Sequence, residues 1–375
     1  MRYLFIIQGE GRGHLTQAMT LERMLTAHGH EVVSMLVGKS ASRKLPAFFL
    51  EGVKAPVHCF ETVNFVPSFS DKRPSIFRSF FYNISISFKF HDSIRLISKT
   101  IKTCGADVIV NLYESLGSIG YVRSRSKKPM VCIAHQFLLL HKDLHITELG
   151  YEGHLGLNLF TRAIGVQASK ILALSFRRMP DEPKLRMKVV PPLLRPQVVS
   201  LRSPQGDDPA VRDGGYILGY MLNAGFSEEV MKWHRAHPDV PLHFFWDNAS
   251  EGPVKKVDDT LSFYYLDDNE FIRQMAGCRA YASTAGFESI CEAMYLGKPL
   301  MMVPTHIEQK CNAFDATKDI HTAPDGRRGR AAVASNRFDM SVLLDFAEHG
   351  YAPDPDFQDW VRSAEEVILH ELENF

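Results

Sequence analysis

The residues best placed to do chemistry lie between Tyr281 and Ala313, in the run YASTAGFESICEAMYLGKPLMMVPTHIEQKCNA. Ser283, Thr284, Ala285 and Gly286 are small residues able to turn the chain and cap a helix. Such a turn at a helix N-terminus suits phosphate, because backbone N–H groups and the helix dipole both point at the anion. Ser289 and Glu292 follow one helical turn later, near a ribose if the phosphate belongs to a nucleotide. A second group stands at the N-terminus, where Gly9, Gly11 and Gly13 alternate, with Glu10 between them and His14 directly after. Alternate glycines permit a tight turn and close approach of a ligand to the backbone. Their spacing is not the dinucleotide fingerprint GxGxxG, and no acidic residue ends the next strand where a ribose carboxylate would stand. Glu114 and the pair His135–Gln136 complete the set, each just after an apolar run.

The elements that must hold these residues read as an α/β pattern. Tyr281 and Ala282 end a strand. Phe287–Leu296 has helical periodicity, with Phe287, Ile290, Cys291 and Met294 as its apolar face. Gly297, Lys298 and Pro299 supply its stop, and Leu300–Val303 is a buried strand before a polar loop at Pro304. Strand, turn, helix and strand in that order mean a parallel sheet with a crossover helix. The N-terminal half repeats the theme. Tyr3–Ile7 is a continuous apolar strand, a helix runs from His14 to about Ala27, and Glu31–Val37 is the second strand. Val57–Phe60, Val108–Leu112, Val131–His135 and Ile171–Leu174 read as further strands. Glu10 with His14, Glu114, and His135 with Gln136 then gather at the C-terminal ends of strands, the edge where open α/β sheets bind ligands.

The stretch Met187–Pro209 holds five prolines and reads as a domain connection. A second α/β pattern follows: strand Tyr216–Met221, helix Glu228–Ala236, strands Leu242–Trp246 and Leu261–Tyr265, and a helix that Asp267 and Glu270 could start as a capping box. Asp325–Arg330 reads as a solvated loop, and Pro355–Leu372 as one amphipathic helix with Trp360, Val361, Ala364, Val367, Ile368 and Leu372 on one side. The expected division is 1–195, 196–352 and a C-terminal helix at 353–375 returning toward the first domain.

With 375 residues, 45% hydrophobic and 23% charged, the chain has room for two α/β cores. A formal net charge of +0 argues against a nucleic-acid binder. The six cysteines form no CxxC pair, so buried reduced thiols are expected and a zinc site is not. The N-terminal apolar run is too short for a signal peptide and no stretch has the apolar length of a spanning helix, so a cytoplasmic protein is expected. Phe77–Phe90, an aromatic run with interleaved Arg78 and Lys89, could lie on the inner face of a membrane or form a core helix; base rates favour the core. Together with Phe137–Leu140 it leaves room for a lipid-linked substrate.

Two α/β domains, the loop GEGRGHLTQA and the run TAGFESICEAMYLGKP together resemble the GT-B fold glycosyltransferases. The likeness is to the peptidoglycan GlcNAc-transferase type and to the UDP-glucuronosyl and plant natural-product transferases, nearest to a microbial group of uncharacterised acceptor. It covers the whole chain in architecture and two places at the level of motif. Gly286, Phe287, Ser289, Glu292, Gly297, Pro299, Glu308, Gln309 and Asn312 match the donor motif of that family. The resemblance implies that the backbone at Ala285, Gly286 and Phe287 binds a diphosphate, and that Glu292 accepts both ribose hydroxyls. A carboxylate suits that task because it only accepts hydrogen bonds and can take two donors at once. Glu308 and Gln309 would hold the donor sugar, the base would lie against the loop at Tyr265–Leu266, and Asn223 could donate to a phosphate. Gly11 and Gly13 would approach the donor from the first glycine loop. Thr284 stands where plant-type members carry His. Glu288, beside the diphosphate turn, should point away or pair with a base.

The implied reaction moves a sugar from a nucleoside-diphosphate donor, with UDP as the expected nucleotide, to an acceptor hydroxyl, with inversion and without a metal or other cofactor. His14 matches the histidine that acts as base in plant-type enzymes, with Glu114 as the acid that orients it. The alternative has Glu10 or Glu114 as the direct base. Two further readings stay open: an epimerase of the UDP-GlcNAc 2-epimerase type, and a nucleotide-sugar sensor without turnover.

Overall fold

The computed structural model describes residues 1–41, 43–63, 90–144, 151–203, 206–221, 224–323 and 325–375. They fall into two units, Met1–Leu193 with Trp360–Phe375, and Leu194–Asp359. The first carries β1 (Arg2–Gln8), α1 (Arg12–Ala27), β2 (Glu31–Lys39), α2 (Ala47–Gly52), β3 (Val57–Glu61), α3 (Phe90–Thr103), β4 (Val108–Leu112), α4 (Ser115–Ser124), β5 (Met130–Ala134), α5 (Tyr151–Gly165), β6 (Lys170–Leu174) and β7 (Met187–Val190). The strands form one sheet in the order β3-β2-β1-β4-β5-β6-β7, parallel throughout. Tyr3 to Ile7 are all fully buried, as a central strand covered on both faces requires. The order changes direction at β1, so the carboxyl ends of β1 and β4 flank a topological switch point.

β7 corrects the reading of Met187–Pro209 as connection only. Its four residues pair with β6 as the sheet's edge, and the prolines that mark the connection begin immediately after them. The short apolar run MKVV was outweighed by its proline-rich surroundings.

The second unit carries α6 (Pro196–Val199), β8 (Arg202–Ser203), β9 (Gly206–Asp207), β10 (Ile217–Met221), α7 (Ser227–Ala236), β11 (Leu242–Trp246), β12 (Val254–Lys256), β13 (Leu261–Tyr265), α8 (Asp268–Gly277), β14 (Ala280–Ser283), α9 (Phe287–Tyr295), β15 (Leu300–Met302), α10 (Ile307–Ala316), β16 (His321–Thr322), β17 (Arg328–Gly329), β18 (Ala332–Ala334) and α11 (Met340–Asp345). Its main sheet runs β12-β13-β11-β10-β14-β15-β18, parallel except for β12, with the switch point between β10 and β14. Phe244, Trp246, Phe263, Met301 and Phe338 pack one face of it. Half of the expected capping box forms: Asp267 accepts from the Glu270 N–H at 2.8 Å, while the Glu270 carboxylate turns to Arg273 and Gln274. Gly297 ends α9 at φ +67°, a conformation that favours glycine. Asp325–Arg330 is largely exposed, but Arg328–Gly329 pairs with His321–Thr322 as a hairpin, so it is not only loop.

The C-terminal segment folds as two helices, α12 (Phe357–Arg362) and α13 (Ala364–Glu373), rather than one. Within the first unit, Trp360 Nε1 donates to the Ser175 carbonyl at 3.0 Å and the Tyr3 hydroxyl donates to the Leu372 carbonyl at 3.1 Å. Ile368 and Leu372 are fully buried, which explains the apolar stripe.

All six cysteines are free thiols; Cys132, Cys278, Cys291 and Cys311 are buried, whereas Cys59 on the edge strand β3 is exposed. In the run Phe137–Leu140, Phe137, Leu138 and Leu139 lie in a buried 3-10 turn, while Leu140 is partly exposed. Residues 77–89 of the aromatic run lie outside the described residues, as does Asn223. Among the described residues no helix is long and apolar enough to cross a membrane.

Candidate active site

In the second unit the turn after β14 is held in a costly conformation. Ala285 has φ +61°, where a Cβ costs roughly 1–2 kcal/mol. Two hydrogen bonds hold it there: Asn312 Nδ2 donates to the Ala285 carbonyl at 3.0 Å, and the Ala285 N–H donates to Ser283 Oγ at 3.2 Å. Strain maintained by surrounding bonds is the mark of a turn whose shape matters. The turn delivers Gly286, which has no side chain to cap with, as the N-cap of α9, and so sets the positive end of the helix at this turn. Thr284 is almost wholly buried, and the Ser289 hydroxyl donates to the Gly286 carbonyl at 3.2 Å, bracing the turn from within.

Glu292, on the same helix, is 1% exposed. Its two oxygens accept from Arg195 Nε and Nη2, both at 2.6 Å, in a bidentate pair. Asp268, at the first position of α8, stands 3.7 Å from Arg195 Nη1. Arg195 is largely but not fully out of water, which works against its charge, but Glu292, Asp268 and then Glu288 hold it ionised. Glu288 adds the weakest of these attractions to the same guanidinium. Arg195 escaped the sequence reading because LLRPQ carries no pattern beyond a proline-rich connection, and only the fold brings it to Glu292.

Further along, Gln309 Oε1 accepts from the Thr305 N–H at 2.9 Å and from Thr305 Oγ1 at 2.8 Å. Those two bonds fix the orientation of the amide. Glu308 is half-buried in the first turn of α10, beside His306, whose imidazole burial pushes below its usual range. Tyr265, which is exposed, ends β13 and Leu266 follows it.

In the first unit the candidate groups collect at the carboxyl edge of the sheet. Glu10 follows β1 and accepts from the Ser40 N–H just past β2. His14 sits in the first turn of α1, whose N-cap is Gly11; Nδ1 is 3.2 Å from Gln17 Oε1, and the ring stacks on Tyr113 at 5.9 Å. Gly13 lies in the same turn. Glu114 is the N-cap of α4 and fully buried. Asn111 clamps its backbone, accepting from the Glu114 N–H at 2.7 Å and donating to its carbonyl at 3.0 Å, while Tyr113 before it takes φ +58°.

The Glu114 carboxylate accepts from Thr62 Oγ1 at 2.6 Å and from the Leu116 N–H at 3.0 Å, both at Oε1. His14 is not among its partners, so the expected orienting bond is not formed. Oε2 is buried without a hydrogen-bond partner among the described residues. Burial raises the carboxyl to about 7, and nearby Glu10 adds to the rise against the opposing bonds from Thr62 and Leu116. Gly38 on β2 is needed here: a Cβ at that position would overlap Glu114 Oε2 and press on Phe60. Thr62 and Gly38 were not singled out from sequence, because neither carries a motif. His135, buried in the 3-10 turn, has Nδ1 2.7 Å from the Leu174 carbonyl and serves packing between β5 and β6.

Among the described residues no cluster of His, Cys, Asp or Glu is arranged to hold a metal ion. The Asp-x-Asp at Asp354–Asp356 is a turn, in which Asp354 Oδ1 accepts from the Asp356 N–H at 2.9 Å.

Solved structures share this architecture over nearly the full chain at low identity. Phytolacca americana UGT2, complexed with UDP-2fluoro-glucose and pterostilbene, is 13% identical with a TM-score of 0.63, covering 100% of this chain and 99% of its own. Acinetobacter baumannii MurG is 13% identical with a TM-score of 0.57, covering 100% and 99%. The spinosyn forosaminyltransferase SpnP is 13% identical with a TM-score of 0.58, covering 100% and 98%. Identity at that level speaks for the shared GT-B fold. No protein of curated function matches the sequence significantly. Residues 1–318 match the profile described as Glycosyl transferase family 1, and the chain belongs to that family of GT-B glycosyltransferases.

Proposed function

We propose that this glycosyltransferase takes a UDP-linked sugar as donor and transfers the sugar with inversion, without a metal, to an acceptor hydroxyl. The observation that carries the reading is on α9: a helix N-terminus at a strained small-residue turn, followed on the same helix by the buried carboxylate of Glu292. The diphosphate binds at Ala285–Phe287, the ribose hydroxyls at Glu292, and the sugar at Glu308 and the Gln309 amide nitrogen. Leu266 and its neighbours meet the base, and Gly11 and Gly13 approach the donor. The bidentate pair leaves each Glu292 oxygen a second lone pair, so Arg195 orients the carboxylate while the ribose uses the outer lone pairs. That the Phytolacca structure was solved with UDP-2fluoro-glucose supports a UDP-sugar as the donor class.

In the transfer step the acceptor oxygen forms the new bond to the anomeric carbon as the bond to the diphosphate oxygen breaks. The electron pair leaves with the nucleoside diphosphate, whose charge the α9 N-terminus stabilises. His14 takes the acceptor proton, with Gln17 at Nδ1 and the Tyr113 ring fixing the imidazole. Glu114 ties Thr62, just past β3, to the first turn of α4.

A thermal-shift screen of UDP-, GDP-, dTDP- and CDP-sugars tests the donor assignment, since any ligand of the native state raises the melting temperature. Stabilisation by UDP-sugars that Glu292→Ala abolishes is expected. Stabilisation only by another nucleotide, or equal stabilisation in the variant, would overturn it.

A further inference from the structure

The second unit holds a cavity of about 730 Å³ that the donor residues do not enter. That volume is in the range of small-molecule sites. It lies between the C-terminal end of α10, the β16–β17 hairpin, the edge strand β18 and the π-helical turn Phe346–Gly350 that continues α11. Its apolar wall comes from Phe314, Ile320, Val333 and Phe346. Space is left by small residues: Gly329, Ala332, Ala334 and Gly350 also face it.

The backbone around it is firmly built. The Arg330 N–H donates to the Gly350 carbonyl at 3.0 Å, and the Ala352 N–H donates to the Arg330 carbonyl at 3.0 Å. A Cβ on Gly329 would overlap the Gly350 carbonyl, so glycine is required for that approach. Single π-turns of this kind are frequent at functional sites.

The charge on the lining has one sign. Arg328 and Arg330 are two apart on an extended segment, so both side chains fall on one side of it, and Lys318 lines the cavity as well. No acidic residue lines it among those described. Neither arginine has an ion-pair partner among the described residues, while Asp345, the last residue of α11, and Glu348 of the π turn lie 3.2 and 3.8 Å from His349. Paired guanidinium forks beside an apolar wall suit a ligand that is part dianion and part hydrocarbon.

We propose that this cavity binds a free single-chain amphiphile bearing a phosphate monoester, with the phosphate at Arg328 and Arg330 and the chain against Phe314, Val333 and Phe346. The site is separate from the donor residues, and the proposal does not depend on which sugar is transferred.

Titration calorimetry of the full chain with octyl phosphate, kept below its micelle-forming concentration, tests it, with inorganic phosphate and octanol as the two halves. Octyl phosphate should bind at least tenfold more tightly than either half. The double variant Arg328→Ala/Arg330→Ala should weaken it tenfold or more. Ile320→Glu, at a side chain 56% exposed and therefore tolerated by the fold, should weaken it as well by placing a carboxylate at the apolar rim. An unchanged melting temperature of the unliganded variants shows that the fold is intact. Equal binding of inorganic phosphate, or unchanged binding by the double arginine variant, overturns the proposal. Binding to phosphatidylglycerol vesicles with none to monomeric octyl phosphate also overturns it, in favour of a membrane surface.

Discussion

Arg195 and Glu292, distant in sequence, meet through two hydrogen bonds of 2.6 Å with both side chains largely out of water. A buried pair of this geometry is weak evidence of net stabilisation, but breaking it from one side is costly, about 3–5 kcal/mol, because a buried charge is left alone. Arg195→Ala should therefore be the more damaging change, since it strands a carboxylate that is 2% exposed at the side chain. Glu292→Ala leaves Arg195 with Asp268 nearby and should cost less. Chemical denaturation of both variants checks the order, and Arg195→Lys, which cannot make the bidentate pair, should raise the donor KM more than it lowers kcat.

The Glu114 carboxyl, raised from 4.5 to about 7, makes stability depend on pH. The folded state binds the extra proton, so this contribution is complete below about 4.5 and is lost as pH rises through about 7. The loss is on the order of 3 kcal/mol, from about 1.4 kcal/mol per pKa unit. Denaturation at pH 5 and pH 8 should show wild type falling relative to Glu114→Gln. Thr62→Val removes a bond that favours the ionised form, so it should move the transition to higher pH.

Gly38 and Gly11 separate packing from ligand approach. A Cβ at Gly38 overlaps Glu114 Oε2, so Gly38→Ala should destabilise by about 1–3 kcal/mol, as overpacking does, and displace the carboxylate. A Cβ at Gly11 meets nothing within 4 Å, and its φ of −95° is open to alanine. Gly11→Ala should lower the melting temperature only slightly, as a poorer N-cap for α1, and raise the donor KM.

His14→Ala should lower kcat by roughly 10²–10⁴, the usual contribution of a general base, with little change in stability. Gln17→Leu removes a partner of the ring and should produce a smaller loss with an altered pH–rate profile. Equal kcat in His14→Ala and wild type would transfer the role to a carboxylate, with Glu114 and Glu10 next to be tested.

The parallel strands were legible because they are short apolar runs between turn residues, and the donor turn because small residues, Glu292 and the Gln309–Asn312 spacing occur together in one segment. β7 was obscured by prolines, and β12, a three-residue antiparallel strand, has no periodicity to read. Arg195, Thr62 and Gly38 act through partners 52 to 97 residues away in sequence, so local patterns do not reveal them. Asn312 is the opposite case: a motif residue whose physical task, fixing the strained Ala285, shows only in the fold.

The central claim is that the α9 turn and Glu292 bind a UDP-sugar for transfer, and the most direct measurement is UDP release from UDP-sugars by the purified protein. Slow hydrolysis without acceptor, lost at least a hundredfold in Glu292→Ala while that variant stays folded, is the predicted result. No UDP from any UDP-sugar that the protein binds, or the same rate from Glu292→Ala as from wild type, would contradict it.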